Sequence, residues 1–295
     1  MSEPLSVAVT RGEILESTHR VHAVAVRNGE VVASAGDPNL VVSLRSSAKP
    51  VQALLLARAR RDLEEEHYAI ASASHLGTEM HVEAVRSLLR ATGGSEDELD
   101  CGLQDNRPPE PIYHNCSGKH AGMIAVCRAR GWPVEGYRRP EHPLQEELTD
   151  EVARVAEVGR ADVETATDGC GVVCFALPLH RVAHAFGRLE QAEGGETIVA
   201  AMRARPELIG GEGATDTTLM RTLDGWIAKG GAEGLIAAAS ADGLGIALEV
   251  EDGNSRALRP ALAEFARELD LDLSTFAQVP VRNSHAEVVG EVRIL

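Results

Sequence analysis

Three short blocks of this chain hold side chains that could do chemistry together. The first is Arg45-Ser46-Ser47-Ala48-Lys49-Pro50. A serine hydroxyl needs a base to become a nucleophile, and a lysine amine can be that base once burial depresses its pKa. Ser46 and Lys49 are spaced to share one face at a helix start, where developing negative charge is favoured. A capping serine beside a surface lysine has the same spelling, so the spacing alone leaves both readings open. The second block is His114-Asn115-Cys116-Ser117-Gly118-Lys119-His120, followed much later by Asp168-Gly169-Cys170-Gly171. Two thiolates and a nitrogen make a chemically reasonable zinc set, although a lysine must lose its proton to join one. Free cysteines are also often small buried core residues. Cys101, Cys127 and Cys174 are read that way, whereas Cys116 and Cys170 sit among polar and glycine residues. The third block, Ala73-Ser74-His75, closes the apolar run from Tyr68 and reads as a strand or buried segment ending in a polar turn.

The lysine count sharpens the first two blocks. Of 29 basic side chains only Lys49, Lys119 and Lys229 are lysine. Arginine replaces lysine wherever a surface cation is enough, but guanidinium cannot give up its proton. A lysine kept in an arginine-rich chain is therefore informative, and two of the three fall inside the blocks above.

The elements that must position these residues follow from periodicity. His22–Arg27, Asn28-Gly29 and Glu30–Ser34 form a hairpin signal, because Asn-Gly supplies the positive φ of a type I′ turn. Ser46–Arg61 reads as a helix with Pro50 in its first turn. Further helices are predicted over His81–Thr92, Ser117–Arg130, Leu144–Val158, Glu196–Arg205, Thr217–Lys229 and Ala257–Leu269. Strand patterns return at Leu235–Ser240, Gly245–Glu251 and Glu287–Leu295. The glycine-rich stretch 210–213 lacks the Lys-Ser/Thr of a phosphate loop and reads as a connection. The order is strands, a helical middle over roughly 50–230, then strands. It predicts an α+β fold, a single catalytic unit over 1–295, with one antiparallel sheet built from both ends of the chain.

Composition narrows the function class. The formal charge is −16 and only 3% of residues are aromatic, which argues against a nucleic-acid surface. No run approaches the roughly 18 apolar residues of a membrane span, and no signal-peptide pattern opens the chain. Five irregularly spaced cysteines do not read as a disulfide framework, so the cytoplasm is the expected compartment. A soluble enzyme acting on a small molecule fits best.

Taken together, the blocks resemble the L-asparaginase family typified by the inducible, thermolabile rhizobial enzyme. The resemblance runs from Glu16–His22 through Arg45–Pro50, Ala73–His75, Asn115–His120, Gly136-Tyr137, His142–Gln145 and Thr167–Cys170 to Gly211–Gly213 and Glu251–Asn254. It implies a fold similar to serine β-lactamases and glutaminases, a homodimer, and hydrolysis of L-asparagine to L-aspartate and ammonia. The family's nucleophile falls on Ser46, its base on Lys49 and its second serine on Ser74. Zinc ligands fall on Cys116, Lys119 and Cys170, and Arg45, His120 and Asp168 fall near the substrate. The resemblance also implies a second catalytic lysine on a late strand, and the position matched to it here is Glu249. That carboxylate is expected either to accept a proton itself or to pair with Lys49 and blunt the nucleophile. Two other readings stay open: a retired homologue that binds an amino acid or metal, and a β-lactamase relative, for which a late Lys-Thr-Gly is missing.

Overall fold

The computed structural model describes residues 3–295. The chain opens with three antiparallel strands, β1 (Leu5–Arg11), β2 (Ile14–Arg27) and β3 (Glu30–Ala35). The β2–β3 turn has Asn28 and Gly29 at φ of 53° and 82°, as the Asn-Gly signal predicts. A short strand, β4 (Val41–Ser43), leads into a 3-10 turn at Arg45–Ala48. The helical middle follows as α1 (Lys49–Ala59), α2 (Glu65–Ala71), α3 (Glu79–Thr92), α4 (Ser117–Arg130) and α5 (Pro143–Ala156). It is broken by β5 (Glu164–Thr167) and β6 (Val173–Pro178), then resumes as α6 (Leu179–Arg188), α7 (Gly195–Ala204), α8 (Pro206–Ile209) and α9 (Thr215–Thr222). The chain closes with β7 (Ile227–Gly230), β8 (Leu235–Ala239), β9 (Gly245–Val250), α10 (Leu258–Arg267), β10 (Gln278–Arg282) and β11 (Val288–Ile294).

Both ends of the chain share one antiparallel sheet in the order β10-β11-β1-β2-β9-β8-β7, with β3 also paired to β2. The predicted α+β arrangement is therefore the observed one. Residues Val21–Val26 of β2 and all of β8 are buried, which requires cover on both faces of the sheet. Helices α6 and α10 both pack on β9. A separate three-stranded sheet, β4-β6-β5, has no counterpart in the sequence reading.

Two departures matter for the site. Tyr68–Ala71, read as strand or buried segment, is a buried segment that lies in helix α2, with every residue from His67 to Ala71 buried. The predicted helix Thr217–Lys229 breaks in two: α9 stops at Thr222, and Ile227–Gly230 becomes the edge strand β7. Asp224 and Gly225 interrupt the helix, with Gly225 at φ 74°. Lys229 thus stands on the sheet rather than at a helix end.

Candidate active site

The residues that could do chemistry converge where α1, the segment after α2, and β7 meet. Arg45 holds an unusual φ of 44°, a conformation costly for a non-glycine residue. This turn leaves Ser46 half-buried while Ser47 is sealed in the core with its hydroxyl donating to Leu44 O at 2.7 Å. Lys49, one turn on, is fully buried. Its Nζ lies 2.7 Å from Ala73 O, 2.8 Å from Ser74 Oγ and 3.4 Å from Asn115 O. Burial pushes the amine down to about 8, which makes its neutral form accessible near neutral pH. The predicted Ser46–Lys49 pairing is therefore corrected in one respect. The amine faces Ser74, and Ser46 joins it by lining the same cavity.

That cavity, about 300 Å³, is walled by Ser46, Ser74, Asn115, Thr215, Asp216 and Lys229, among others. Lys229 is the one basic residue on its wall and Asp216 the one acidic residue. The Ser74 backbone is pinned by a 2.8 Å bond from its N–H to Ile209 O. The next residue, His75, is buried, accepts from Gly77 N–H at Nδ1 and reaches Ser117 Oγ through Nε2 at 2.9 Å. Burial lowers its pKa well below the ordinary imidazole value, so it serves as a neutral brace. A larger cleft of about 680 Å³ opens between α1, α2 and α7, but it carries arginines and glutamates and no candidate nucleophile.

Behind the cavity lies the second cluster. Asn115 lines the cavity with its side-chain amide 2.9 Å from Cys116 Sγ. Lys119 Nζ is 3.1 Å from Cys170 Sγ and 3.7 Å from Asp168 Oδ2. Cys116, Lys119 and Cys170 are all buried. Cys116 is held well below the ordinary thiol range by the neighbouring Cys170 thiol and by the lysines, while Cys170, beside that sulfur and buried, is pushed up. Lys119 is raised by the sulfurs beside it, against the effect of burial. Among the described residues no three His, Cys, Asp or Glu side chains form a metal-binding group. The donor set here is two thiols and an amine, soft and nitrogen donors of the kind that suit zinc.

The three residues expected near substrate stand around this cluster and not on the cavity wall. Arg45 Nε donates to Asp168 Oδ1 at 2.7 Å. Cations on both sides, Lys119 and Arg45, hold Asp168 below its usual range despite burial. His120 is fully buried on α4. Tyr137 Oη accepts from Asp100 N–H and pairs with His120 Nδ1 at 2.6 Å, while His120 Nε2 is buried with no partner among the described residues.

Glu249 stands apart from this cavity. It lies on β9, separated from β7 by β8, and does not line the cavity. Its Oε2 is buried without a partner, and burial together with Glu233 pushes its carboxyl up to about 8. Lys49 binds Ala73, Ser74 and Asn115, so the feared Glu249–Lys49 ion pair is absent among the described residues. The second lysine at the site is Lys229, followed by Gly230-Gly231 on the bordering strand. Asp216, Asn115 and Thr215 were likewise not singled out from the sequence as site residues.

The fold is a mixed helix and antiparallel-sheet scaffold with its cleft beside an edge strand. The native form of Mglu superposes with a TM-score of 0.50 at 14% identity, covering 86% of this chain and 65% of that one. The chain thus spans slightly under two-thirds of the length of that structure. A β-lactamase from Mycobacterium bovis gives a TM-score of 0.31 at 15% identity, covering 83% of this chain and 94% of the other. No curated protein matches the sequence. A family model described as L-asparaginase II matches residues 7–294, and the chain belongs to that family.

Proposed function

We propose that this chain is an asparaginase-type amidohydrolase that converts L-asparagine to L-aspartate and ammonia through an acyl-enzyme on Ser46. The observation that carries the reading is the buried Lys49 amine facing a serine at 2.8 Å in a cavity that Ser46 also lines. Neutral Lys49 has two N–H bonds, and the carbonyls of Ala73 and Asn115 take them. Its lone pair then faces Ser74 Oγ, whose hydroxyl donates to it. Ser74 can in turn take the proton of Ser46 as Ser46 Oγ attacks the amide carbon. The C–N bond breaks as the same relay returns the proton to the leaving nitrogen, and ammonia departs. Water then cleaves the β-aspartyl ester through the same groups. The Ser46 backbone amide is suited to the oxyanion, since the Ser47 amide is already bonded to Leu44 O.

The Lys49–Ser74 bond also favours a second reading, in which Ser74 is itself the nucleophile. Denaturing the protein during turnover and mapping the acylated peptide by mass decides between them. An aspartyl ester on Ser46 supports the first reading, and one on Ser74 the second. Ammonia release that survives Ser46→Ala and Ser74→Ala together would sink both.

We further infer that Cys116, Lys119 and Cys170 hold zinc. Bound there, the cation would supply positive charge beside the cavity and polarise the site. It would replace the neutralising charge of the Lys119 ammonium, with release of protons from the ligands. The five cysteines are all free, which fits the reducing cytoplasm. The family resemblance supports a homodimer, which a sedimentation measurement tests.

A further inference from the structure

Lys49 and Lys229 are both buried, both line or abut the same cavity, and differ in one respect. Lys49 has no carboxylate hydrogen-bonded to it, whereas Lys229 Nζ lies 3.3 Å from Asp216 Oδ2. Asp216 is only 5% exposed, yet its lone pairs are well occupied. Oδ1 accepts from Thr217 N–H at 2.9 Å, and Oδ2 also accepts from Gly230 N–H at 3.1 Å. Lys229 completes the loop by donating to Gly230 O at 2.8 Å. One carboxylate therefore ties the first turn of α9 to the outer edge of β7 and fixes the lysine between them. The fold makes room for it: a Cβ on Gly210 would sit 2.1 Å from Asp216 Oδ1. That glycine follows Ile209, whose carbonyl pins Ser74.

A buried ion pair is a weak source of stability, because desolvation offsets most of the attraction. Its use here is better explained by the cavity it faces. Among the lining residues Lys229 is the single cation, and it shares the cavity wall with Ser46 and Ser74. A lysine amine tied to both Asp216 Oδ2 and Gly230 O is held at one point of the cavity wall. We propose that Asp216 is a positioning residue that holds Lys229 as a fixed cation for the anionic carboxylate of the substrate, leaving proton transfer to Lys49 and Ser74. The two lysines then divide the work, Lys49 in proton transfer and Lys229 in gripping the substrate. This assignment rests on the amidohydrolase reading, since it names what that site grips.

The test separates gripping from chemistry. A contact to a carboxylate present in substrate and transition state alike raises KM and leaves kcat nearly unchanged when it is lost. Asp216→Asn keeps the shape and removes the charge. Its KM for L-asparagine should rise roughly tenfold to a hundredfold, the size of a charge-assisted hydrogen bond, with kcat within about threefold. Asp216→Glu should recover part of the loss. The double variant Asp216→Asn, Lys229→Met should be no worse than Lys229→Met alone, because Asp216 acts through the lysine. Additive losses, or a collapse of kcat at unchanged KM, would overturn the proposal. Calorimetric binding of L-aspartate to the native protein and to Asp216→Asn reads the same contact without turnover. Tight native binding lost in the variant supports the clamp even if no amide is hydrolysed, in which case only the hydrolase reading fails. Equal affinity in both proteins, or none in either, overturns the clamp.

Discussion

Lys49 Nζ sits 2.8 Å from Ser74 Oγ, a residue 25 positions away, and makes no comparable bond to Ser46 on its own turn. The amine is fully sealed from solvent, and its pKa is lowered from 10.5 to about 8 chiefly by burial. A base must be neutral to accept a proton, so the active fraction grows as pH rises through that value. The expected kcat/KM profile for amide hydrolysis climbs roughly tenfold between pH 7 and a plateau above pH 9. Lys49→Met should lower kcat by a factor on the order of 10² to 10⁴ at every pH. A flat profile from pH 6 to 10 with robust turnover would exclude Lys49 as the base.

The same burial makes Lys49 a liability for stability. Below pH 8 the folded protein carries a desolvated charge that the unfolded chain holds in water. Between pH 8 and 10.5 the unfolded state binds the extra proton, so stability rises with pH across that window. Lys49→Met, of similar shape and no charge, should therefore gain on the order of 3 kcal/mol at pH 7 and little above pH 10.5. Denaturant midpoints at the two pH values check this. An inactive variant that is also less stable at pH 7 would mean that the hydrogen bonds to Ala73, Ser74 and Asn115 outweigh the desolvation.

Much of this was legible in the residues, and the failures have physical causes. Helices α3, α5, α7 and α10 follow from period because each buries one face, whereas the hairpin follows from its Asn-Gly turn, and α4, β8 and β9, buried nearly all round, follow from apolar runs bounded by glycine. The shared sheet followed from the strand–helix–strand order. The segment 217–229 misled, since a short amphipathic helix and a following edge strand together mimic one longer helix, and tertiary pairing with β8 decides the matter. That misreading leaves Lys229 at a helix end, whereas Glu249 is matched to the second lysine by the resemblance, through its place before Glu251-Asp252-Gly253. Lysine scarcity points the right way, since all three lysines are buried, at 0%, 4% and 1% exposure for Lys49, Lys119 and Lys229. Asp216 and Asn115 could not be found this way, because their types are common and only the fold brings them to the cavity.

Glu249 should be dispensable for activity. Its carboxyl, raised from 4.5 to about 8, stays protonated in the folded state at neutral pH, while the unfolded chain releases the proton above pH 4.5. Stability is therefore lost progressively as pH rises from 4.5 to 8. Glu249→Gln should flatten that slope and gain on the order of 2 kcal/mol at pH 9, allowing for partial exposure. Ammonia release should stay within about threefold, a span smaller than the loss of a true base. Glu249→Lys should bring no activation; a large gain in turnover would return this position to the catalytic machinery.

The thiol–amine cluster predicts a metal signature with two readouts. Protein purified with zinc present should carry one metal per chain, lost in Cys116→Ser and Cys170→Ser. A chelator should lower the melting temperature of the native protein, since a ligand bound only by the folded state stabilises it by mass action. The double serine variant should be insensitive to chelator. Native protein that melts at the same temperature with and without chelator, and contains no metal by elemental analysis, would remove zinc from the site.

Gly118, inside the Cys116–His120 block, is needed for packing and not for chemistry. Its Cα faces α2, and an added Cβ would lie 2.2 Å from Ile70 O and 2.9 Å from Ile70 C. Backbone cannot yield as a flexible side chain would, so Gly118→Ala must push α4 away from α2. Both elements are buried there, with Ile70 and Ser117 fully inaccessible. The expected cost is roughly 2–4 kcal/mol, the range of severe overpacking. Because Ser74 follows α2 directly and Lys119 follows Gly118, the shift should also pull the Lys49–Ser74 pair and the thiol cluster apart. Turnover should then fall more steeply with temperature than in the native protein, alongside the lowered melting point. A Gly118→Ala variant of native stability would show that the two helices can separate freely and that α2 does not hold Ser74 in register.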